Sequence, residues 1–128
     1  MDTKNIEILD LDFEYKLWKN KLHFFKEELD LLRNRFEIIK VETPEFILSE
    51  HKVEFMEKQL KEVDRLFNKI KTMEREIAYY AVDYPIDDNH SHYAEHENIR
   101  DEMNVINLDQ QYIHNNIYPL LCYPIIVK

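Results

Sequence analysis

The chain of 128 residues has a formal net charge of −9, with 45% apolar and 34% charged residues and no glycine. The lack of glycine excludes phosphate-binding and dinucleotide-binding loops by pattern, because these loops need glycine where the backbone approaches the ligand closely. The single cysteine, Cys122, excludes an intramolecular disulfide, and the negative charge argues against a nucleic-acid partner, whose phosphates are bound by Lys and Arg.

The first predicted element is an amphipathic helix over residues 11–41. Its main apolar seam alternates spacings of four and three residues, which is the period of a helix face. The seam comprises Leu11, Tyr15, Trp18, Leu22, Phe25, Leu29, Leu32, Phe36 and Ile39. A second apolar row, Leu17, Phe24, Leu31 and Ile38, repeats every seven residues beside the seam. The apolar arc is therefore wider than a two-stranded coiled-coil seam, and we expect this helix to contact more than one partner.

The second predicted helix spans residues 44–82, with Thr43 as its N-cap and Pro44 at its first position. Its apolar seam comprises Val53, Met56, Leu60, Val63, Phe67, Ile70, Ile77 and Ala81. Glu74 is a charged residue in the same register. A basic stripe on the outer face comprises Lys58, Lys61, Arg65 and Lys69. We expect this stripe to face the acidic end of the chain, since residues 83–128 contain eight acidic and two basic residues.

The next stretch is rich in proline, aspartate and asparagine and predicts a loop, after which Asn89 or Ser91 caps a third helix. This helix is predicted over residues 90–118, and we expect Pro119 to end it. Its seam comprises Ile99, Met103, Ile106, Ile113 and Ile117, with Gln110, His96 and His92 in the same register. The apolar tail, residues 119–128, is predicted to be non-helical and to be buried along the bundle or against a second chain.

Three long helices joined by short connections predict an all-α fold, an antiparallel up-down-up three-helix bundle that forms a single domain over residues 1–128. The longest apolar stretch, residues 118–127, is about half as long as a membrane-spanning helix of about 20 residues, so no span is predicted. The acidic N-terminus lacks the features of a secretory signal, which together with the single cysteine predicts a cytoplasmic protein. The wide apolar arc and the apolar tail favour a homo-oligomer, most simply a dimer.

Three histidines and two glutamates fall within residues 90–97, HSHYAEHE. His92 and His96 match the H-x-x-E-H zinc pattern of inverzincin peptidases, but the chain after His96 is too short for the scaffold and the downstream zinc ligand of that class. Because the chain reverses between the second and third helices, Glu74, His92 and His96 are candidates for a metal site at one end of the bundle. A polar layer that fixes the register of the helices fits the same residues, and we predict this layer, with no bound metal or cofactor.

One set of residues spread over the three helices carries a resemblance to a known group. The set comprises Trp18, Phe25, Lys26, Glu27, Thr43, Glu50 and His51, together with HENIR at residues 96–100. Over about residues 13–102 the chain resembles small helical-bundle proteins of unknown function from Bacteroidetes, and it departs from them at VEFMEKQL, residues 53–60. The resemblance implies a bacterial cytoplasmic helical bundle and no particular activity.

The long continuous seams favour a non-enzymatic structural or protein-interaction module. They leave no irregular pocket-forming region and no paired acid and base, which an enzyme site needs. The expected partner is a second copy of the chain or an unidentified protein. The alternative is a small-ligand or metal-binding bundle that uses Glu74, His92 and His96.

Overall fold

The computed structural model describes the backbone of residues 5–6, 8–80, 86–87 and 91–126, and the side chains of residues 10–78 and 92–122. Within these ranges the chain forms four helices, α1 (Ile8–Glu42), α2 (Glu50–Tyr80), α3 (Ser91–Asn116) and α4 (Tyr118–Ile126). A two-residue strand β1 (Asn5–Ile6) pairs antiparallel with β2 (Ile86–Asp87). The predicted all-α architecture is confirmed, since this single short strand pair is small beside the helices.

The first two long helices run antiparallel, as predicted. Lys26 Nζ of α1 lies 3.0 Å from Asp64 Oδ1 of α2. Seven residues later on α1, Arg33 Nη1 lies 3.5 Å from Glu57 Oε2, seven residues earlier on α2. Residue numbers therefore rise along one helix as they fall along the other.

The third helix returns antiparallel to α2 and therefore parallel to α1. Gln59 Nε2 of α2 donates to Gln110 Oε1 of α3 at 3.0 Å. Further along α2, Arg65 Nη2 donates to Glu102 Oε2 at 3.2 Å, earlier along α3. These contacts confirm the up-down-up order of the bundle.

A continuous hydrophobic core runs between the helices and follows the predicted seams. On α1 the buried residues are Leu11, Tyr15, Trp18, Leu22, Leu29, Leu32, Phe36 and Ile39. On α2 the core centres on Met56, Val63, Leu66, Ile70, Met73 and Ile77, so Leu66 is fully buried while Phe67 lies only partly buried beside it. Complete burial of one such aliphatic side chain stabilises the fold by about 1.5–3 kcal/mol.

The predicted start of the second helix at Pro44 is wrong, because α2 begins at Glu50. Thr43 does not cap α2: its backbone N–H donates to Ile39 O at 2.8 Å and so continues the hydrogen bonding of α1. Ser49 is the cap instead, since its Oγ accepts from the backbone N–H of Lys52 at 3.2 Å. The non-helical linker before it lets Leu48 reach the core, where it is buried.

The prediction of a non-helical tail after Pro119 is also wrong, because residues Tyr118–Ile126 form α4. Proline lacks the N–H that the helix ladder needs, and one turn residue, Ile117, separates α3 from α4, although its own N–H still donates to Ile113 O at 2.9 Å. Hydrogen bonding then resumes, with Leu121 N donating to Ile117 O at 3.2 Å. Leu121 is buried and its carbonyl accepts from Arg35 Nε at 3.4 Å, so the start of the tail packs along the bundle against α1.

Several predicted features fall outside the described residues. They are the end of the second helix beyond residue 80, the cap side chains Asn89 and Ser91, and the last residues of the tail. None of the described helices has the length and apolar character that crossing a membrane requires.

Candidate functional site

The histidine predicted to face the core lies in a cluster that joins α1 to α3, which we call the end layer. His96 is fully buried, and its Nε2 lies 2.7 Å from Glu14 Oε1. Its ring packs against Tyr15 and Trp18, with ring centroids 4.6 Å and 4.8 Å away. Arg100, one turn further along α3, donates to the same carboxylate and lies over the Trp18 ring. The end layer thus comprises Glu14, Tyr15, Trp18, His96 and Arg100.

The electrostatics of the end layer set its protonation state. Burial lowers the pKa of His96 and outweighs the opposing effect of the Glu14 hydrogen bond and charge. Burial raises the pKa of Glu14, but hydrogen bonds from His96 and Arg100 and the charge of Arg100 outweigh this, so the pKa of Glu14 is lowered. At neutral pH the carboxylate is therefore ionised and the imidazole neutral. Because an ionised carboxylate only accepts, Nε2 of His96 carries the hydrogen.

Two buried polar atoms of the end layer have no hydrogen-bond partner within the described chain. They are His96 Nδ1 and Tyr15 Oη. Burial, followed by the charges of Glu95 and Glu14, raises the pKa of Tyr15, so the phenol stays protonated and neutral. A buried polar group without a partner destabilises a fold by about 1–3 kcal/mol. The end layer is therefore held by one carboxylate with two donors rather than by a fully satisfied network.

The three residues predicted as metal-site candidates each have a different partner. His96 binds Glu14, His92 Nε2 lies 3.8 Å from Glu76 Oε1, and Glu74 Oε1 lies 2.5 Å from Lys19 Nζ. Across the side chains that the structure describes, no group of three or more His, Cys, Asp or Glu residues is arranged to hold a metal ion. Glu74, His92 and His96, the candidates of the alternative metal site, therefore do not form one cluster, although His92 and His96 are both buried as their register predicted.

A second polar cluster, the middle layer, links all three long helices halfway along the bundle. Gln59 of α2 and Gln110 of α3 are both buried, and Gln59 Nε2 donates to Gln110 Oε1 and to Ile106 O. Gln110 Nε2 donates in turn to Glu28 Oε1 of α1 at 2.8 Å. His114 Nδ1 lies 3.3 Å from the other oxygen of Glu28. The middle layer thus comprises Glu28, Gln59, Gln110 and His114.

Sequence reasoning placed Gln110 in the core register but missed Gln59 and Glu28. The available signal was spacing: Gln59 follows the core residue Met56 by three positions and precedes Val63 by four. The layer has a structural consequence, because a slip of one turn between helices would leave buried amides unpaired.

The second apolar row on α1 is exposed in the folded chain. The exposed fractions are 49% for Leu17, 68% for Phe24, 69% for Leu31 and 48% for Ile38. Seven residues correspond to about two turns, so these four side chains form one row about 32 Å long at 1.5 Å per residue. We call these four residues the apolar row. Phe13, one turn before Leu17, extends it and is also exposed.

The apolar row borders a groove between α1 and the α3–α4 segment. Two cavities of about 440 and 290 Å³ open into this groove, and Phe24 and Glu28 line both. Tyr118 lines the smaller cavity and stacks on His114, with ring centroids 5.3 Å apart. On the α3 side the larger cavity is lined by the uncharged amides of Asn107, Gln110, Gln111 and Asn115, together with His114.

The basic stripe on α2 faces the acidic third helix in part, as predicted. Arg65 pairs with Glu102, and Lys69 Nζ lies 3.4 Å from Glu95 Oε2 and 3.6 Å from Glu102 Oε1. The other two stripe residues, Lys58 and Lys61, are exposed. These ion pairs neutralise the stripe where it meets α3, so that half of the stripe serves the fold itself.

No protein-family model, curated protein or solved structure matches this chain. The resemblance to helical-bundle proteins of Bacteroidetes stays a prediction. Three residues that carry it, Trp18, His96 and Arg100, meet in the end layer. Glu50 and His51 lie exposed at the start of α2.

Proposed function

We propose that this chain is a non-enzymatic structural or protein-interaction module that forms a homodimer through the apolar row of α1. The observation that carries the proposal is the exposure of four large apolar side chains in one row on a helix whose opposite face is already buried. Soluble proteins seldom expose contiguous apolar surface of this kind unless it docks on a partner.

The polar residues of the interior support a structural role for themselves rather than a catalytic one. In both polar layers the carboxylates, amides and imidazoles contact one another across helices. These contacts specify how the helices align. Among the described side chains the four residues of the apolar row stay largely exposed, which leaves them for binding.

The expected dimer is concentration-dependent. Full burial of a large apolar side chain stabilises by about 1.5–3 kcal/mol, and about half or more of this remains to be gained at each position of the row. In a symmetric dimer each row residue occurs twice in the interface, so each contributes its burial free energy twice. The total burial free energy of the row is comparable to the unfavourable free energy of bringing two chains together, about 4–15 kcal/mol. We therefore expect the dimer to dissociate at low protein concentration.

The test is the mass in solution by light scattering, from about 1 to 100 µM, for the wild type and matched variants. Phe24→Glu and Leu31→Glu each place a charge in the row and are expected to raise the dimer Kd at least about tenfold, because burial of an unpaired charge is unfavourable. Val105→Glu and Leu108→Glu make the same change at exposed positions of α3 and should leave the Kd unchanged. A monomeric wild type at 100 µM, or an equal effect of the α3 variants, would refute the proposal.

We also place the module in a bacterial cytoplasm. The half-buried single cysteine, Cys122, suits a reducing compartment, where no disulfide is needed for stability. Fractionation of the source cells with an antibody against the chain tests this, and recovery from the extracellular or membrane fraction would contradict it.

A further inference from the structure

The charged residues beside the apolar row alternate in sign. Lys21, Glu28 and Arg35 each follow a row residue by four positions, on the side of α1 that borders the groove. Lys21 is exposed and has no ion-pair partner within the described part of the chain. Glu28 contacts Gln110 and His114, and Arg35 donates to a backbone carbonyl. This edge of α1 therefore presents a cation, an anion and a cation, each two turns apart.

Two α1 helices can pair parallel or antiparallel, and the two arrangements bring different charged residues together. In a parallel pair, equal residues lie at the same level, so Glu28 of one copy faces the level of Glu27 and Glu28 of the other. In an antiparallel pair centred between Phe24 and Phe25, residue 21 lies level with residue 28 of the other copy. A twofold axis repeats each contact, so this arrangement forms two ion pairs between Lys21 and Glu28.

The antiparallel arrangement also matches the apolar surface. The Phe24 side chains of the two copies meet near the twofold axis, over the cavities that Phe24 and Glu28 line. Leu17 of each copy lies within one residue of the level of Leu31 of the other. The α3 side of the groove adds mainly uncharged amides, so the approach of two copies does not bring like charges together there.

We infer that the α1 helices of two copies pair antiparallel along the apolar row, centred near Phe24 and flanked by two ion pairs between Lys21 and Glu28. This inference rests on the proposed dimer and specifies its geometry. The occupant of the groove is a second copy of this chain.

The first test measures the distance between spin labels by pulsed electron resonance in a Cys122→Ser background. Val41 is 80% exposed near the end of α1, and Val41→Cys supplies one labelling site. In the antiparallel dimer the two labels lie about 50 Å apart along the helix axis, and labels on Phe13→Cys lie about 35 Å apart, at 1.5 Å per residue. In a parallel dimer both pairs are short, below about 25 Å.

The second test changes the charges. Lys21→Glu turns both ion pairs into repulsions and is expected to raise the dimer Kd about tenfold. Lys58→Glu alters the net charge equally at an exposed position of α2 and should have no effect. Glu28→Gln keeps an acceptor for Gln110 and relieves the repulsion, so the double variant Lys21→Glu, Glu28→Gln should dimerise no more weakly than Lys21→Glu alone.

The outcomes separate the two levels of the proposal. Long distances between the spin labels, together with a double variant that dimerises no more weakly than Lys21→Glu alone, support the antiparallel pairing. A dimer with short distances between the labels, or a double variant that dimerises more weakly than Lys21→Glu alone, overturns the antiparallel pairing. Either result is still consistent with an interaction module. Absence of any intermolecular dipolar signal at 100 µM, where the mass is also that of a monomer, overturns the proposed function itself.

Discussion

The two polar layers solve the same problem of burying polar atoms between helices in different ways. The end layer uses one ionised carboxylate, Glu14, to hold two donors, and leaves His96 Nδ1 and Tyr15 Oη without a hydrogen-bond partner among the described residues. The middle layer uses two amides: Gln59 of α2 donates to Gln110 Oε1 and to Ile106 O of α3, and Gln110 donates in turn to Glu28 of α1. An amide side chain can both donate and accept hydrogen bonds between helices, whereas an ionised carboxylate can only accept them.

This difference predicts different sensitivities. The stability of the end layer depends on ring packing and protonation, because a buried imidazole packs in tilted contacts against two aromatic rings. The middle layer depends on the partnership of two amides, and its energy is shared between them. Substitutions in the two layers therefore measure separately how ring packing, amide hydrogen bonding and carboxylate charge contribute to stability.

The largest effect is expected for His96→Ala. It removes the ring that packs on Tyr15 and Trp18 and opens a cavity, so the free energy of unfolding should fall by about 3 kcal/mol. His114→Ala, in the exposed part of the middle layer, is the matched control and should cost less than about 1 kcal/mol. Urea unfolding followed by Trp18 fluorescence and circular dichroism measures both. Equal losses in the two variants would show that the end layer is not more tightly packed.

The next effect concerns the paired amides. Gln110→Leu leaves Gln59 with one acceptor fewer and Glu28 without its amide donor, and should destabilise the fold by about 2 kcal/mol. The double variant Gln59→Leu, Gln110→Leu removes both amides and should be less destabilised than the sum of the single variants. Chemical unfolding of the four proteins in the cycle measures this coupling. Simple additivity would mean that the two amides do not depend on each other.

A smaller effect distinguishes the two carboxylates. Glu14→Gln removes the charge that faces Arg100 and should lower the free energy of unfolding by about 1 kcal/mol. Glu28→Gln keeps an acceptor for Gln110 in a layer of neutral amides and should lower it by less than about 0.5 kcal/mol. Thermal unfolding at one pH and salt concentration compares them. If Glu28→Gln lowered the free energy of unfolding more than Glu14→Gln, the carboxylate charge would matter more in the middle layer than in the end layer.

The smallest expected effect is a slope of stability with pH. The pKa of His96 is lowered in the folded chain, so below about pH 6.5 the unfolded chain binds a proton that the folded chain does not, and stability falls as pH falls. The lowered pKa of Glu14 adds a second loss below about pH 4.5. His96→Gln should flatten the slope between pH 6.5 and 5, whereas Gln110→Leu should keep it. Urea midpoints at several pH values test this, and an unchanged slope in His96→Gln would contradict it.

Much of the fold could be predicted from periodicity, because burial follows the spacing of apolar residues whatever their partners. The α1 seam from Leu11 to Ile39 and the inward position of His96 were predicted in this way. The partner of His96 could not be, since Glu14 lies beside the seam of another helix and no local pattern marks it. Which carboxylate reaches a buried imidazole depends on the relative rotation and height of two helices, which sequence spacing leaves open.

The wrong predictions came from local rules that tertiary burial overrode. Pro44 fits a helix start, but burial of Leu48 favours an irregular linker before Ser49. Pro119 interrupts a helix, but burial of Leu121 against α1 carries the chain into a further helix. At Pro44 the local preference for a helix start is smaller than the gain from burying Leu48 four residues later, whereas Pro119 lies in the first turn of α4, where a helix tolerates proline.

The exact spacing of the apolar row has a consequence for the shape of any assembly built on it. Seven residues fall about 20° short of two full turns of a straight α-helix, so the row drifts around α1 from Leu17 to Ile38. Two straight α1 helices would touch along the row only near its middle. Contact over the full length requires the pair to wind around each other as a left-handed supercoil, and α1 is held along its other face by α2. In the antiparallel pair centred near Phe24, Phe24 should therefore contribute most to association, Leu17 and Leu31 should contribute less, and Ile38 should contribute only as far as the bundle bends.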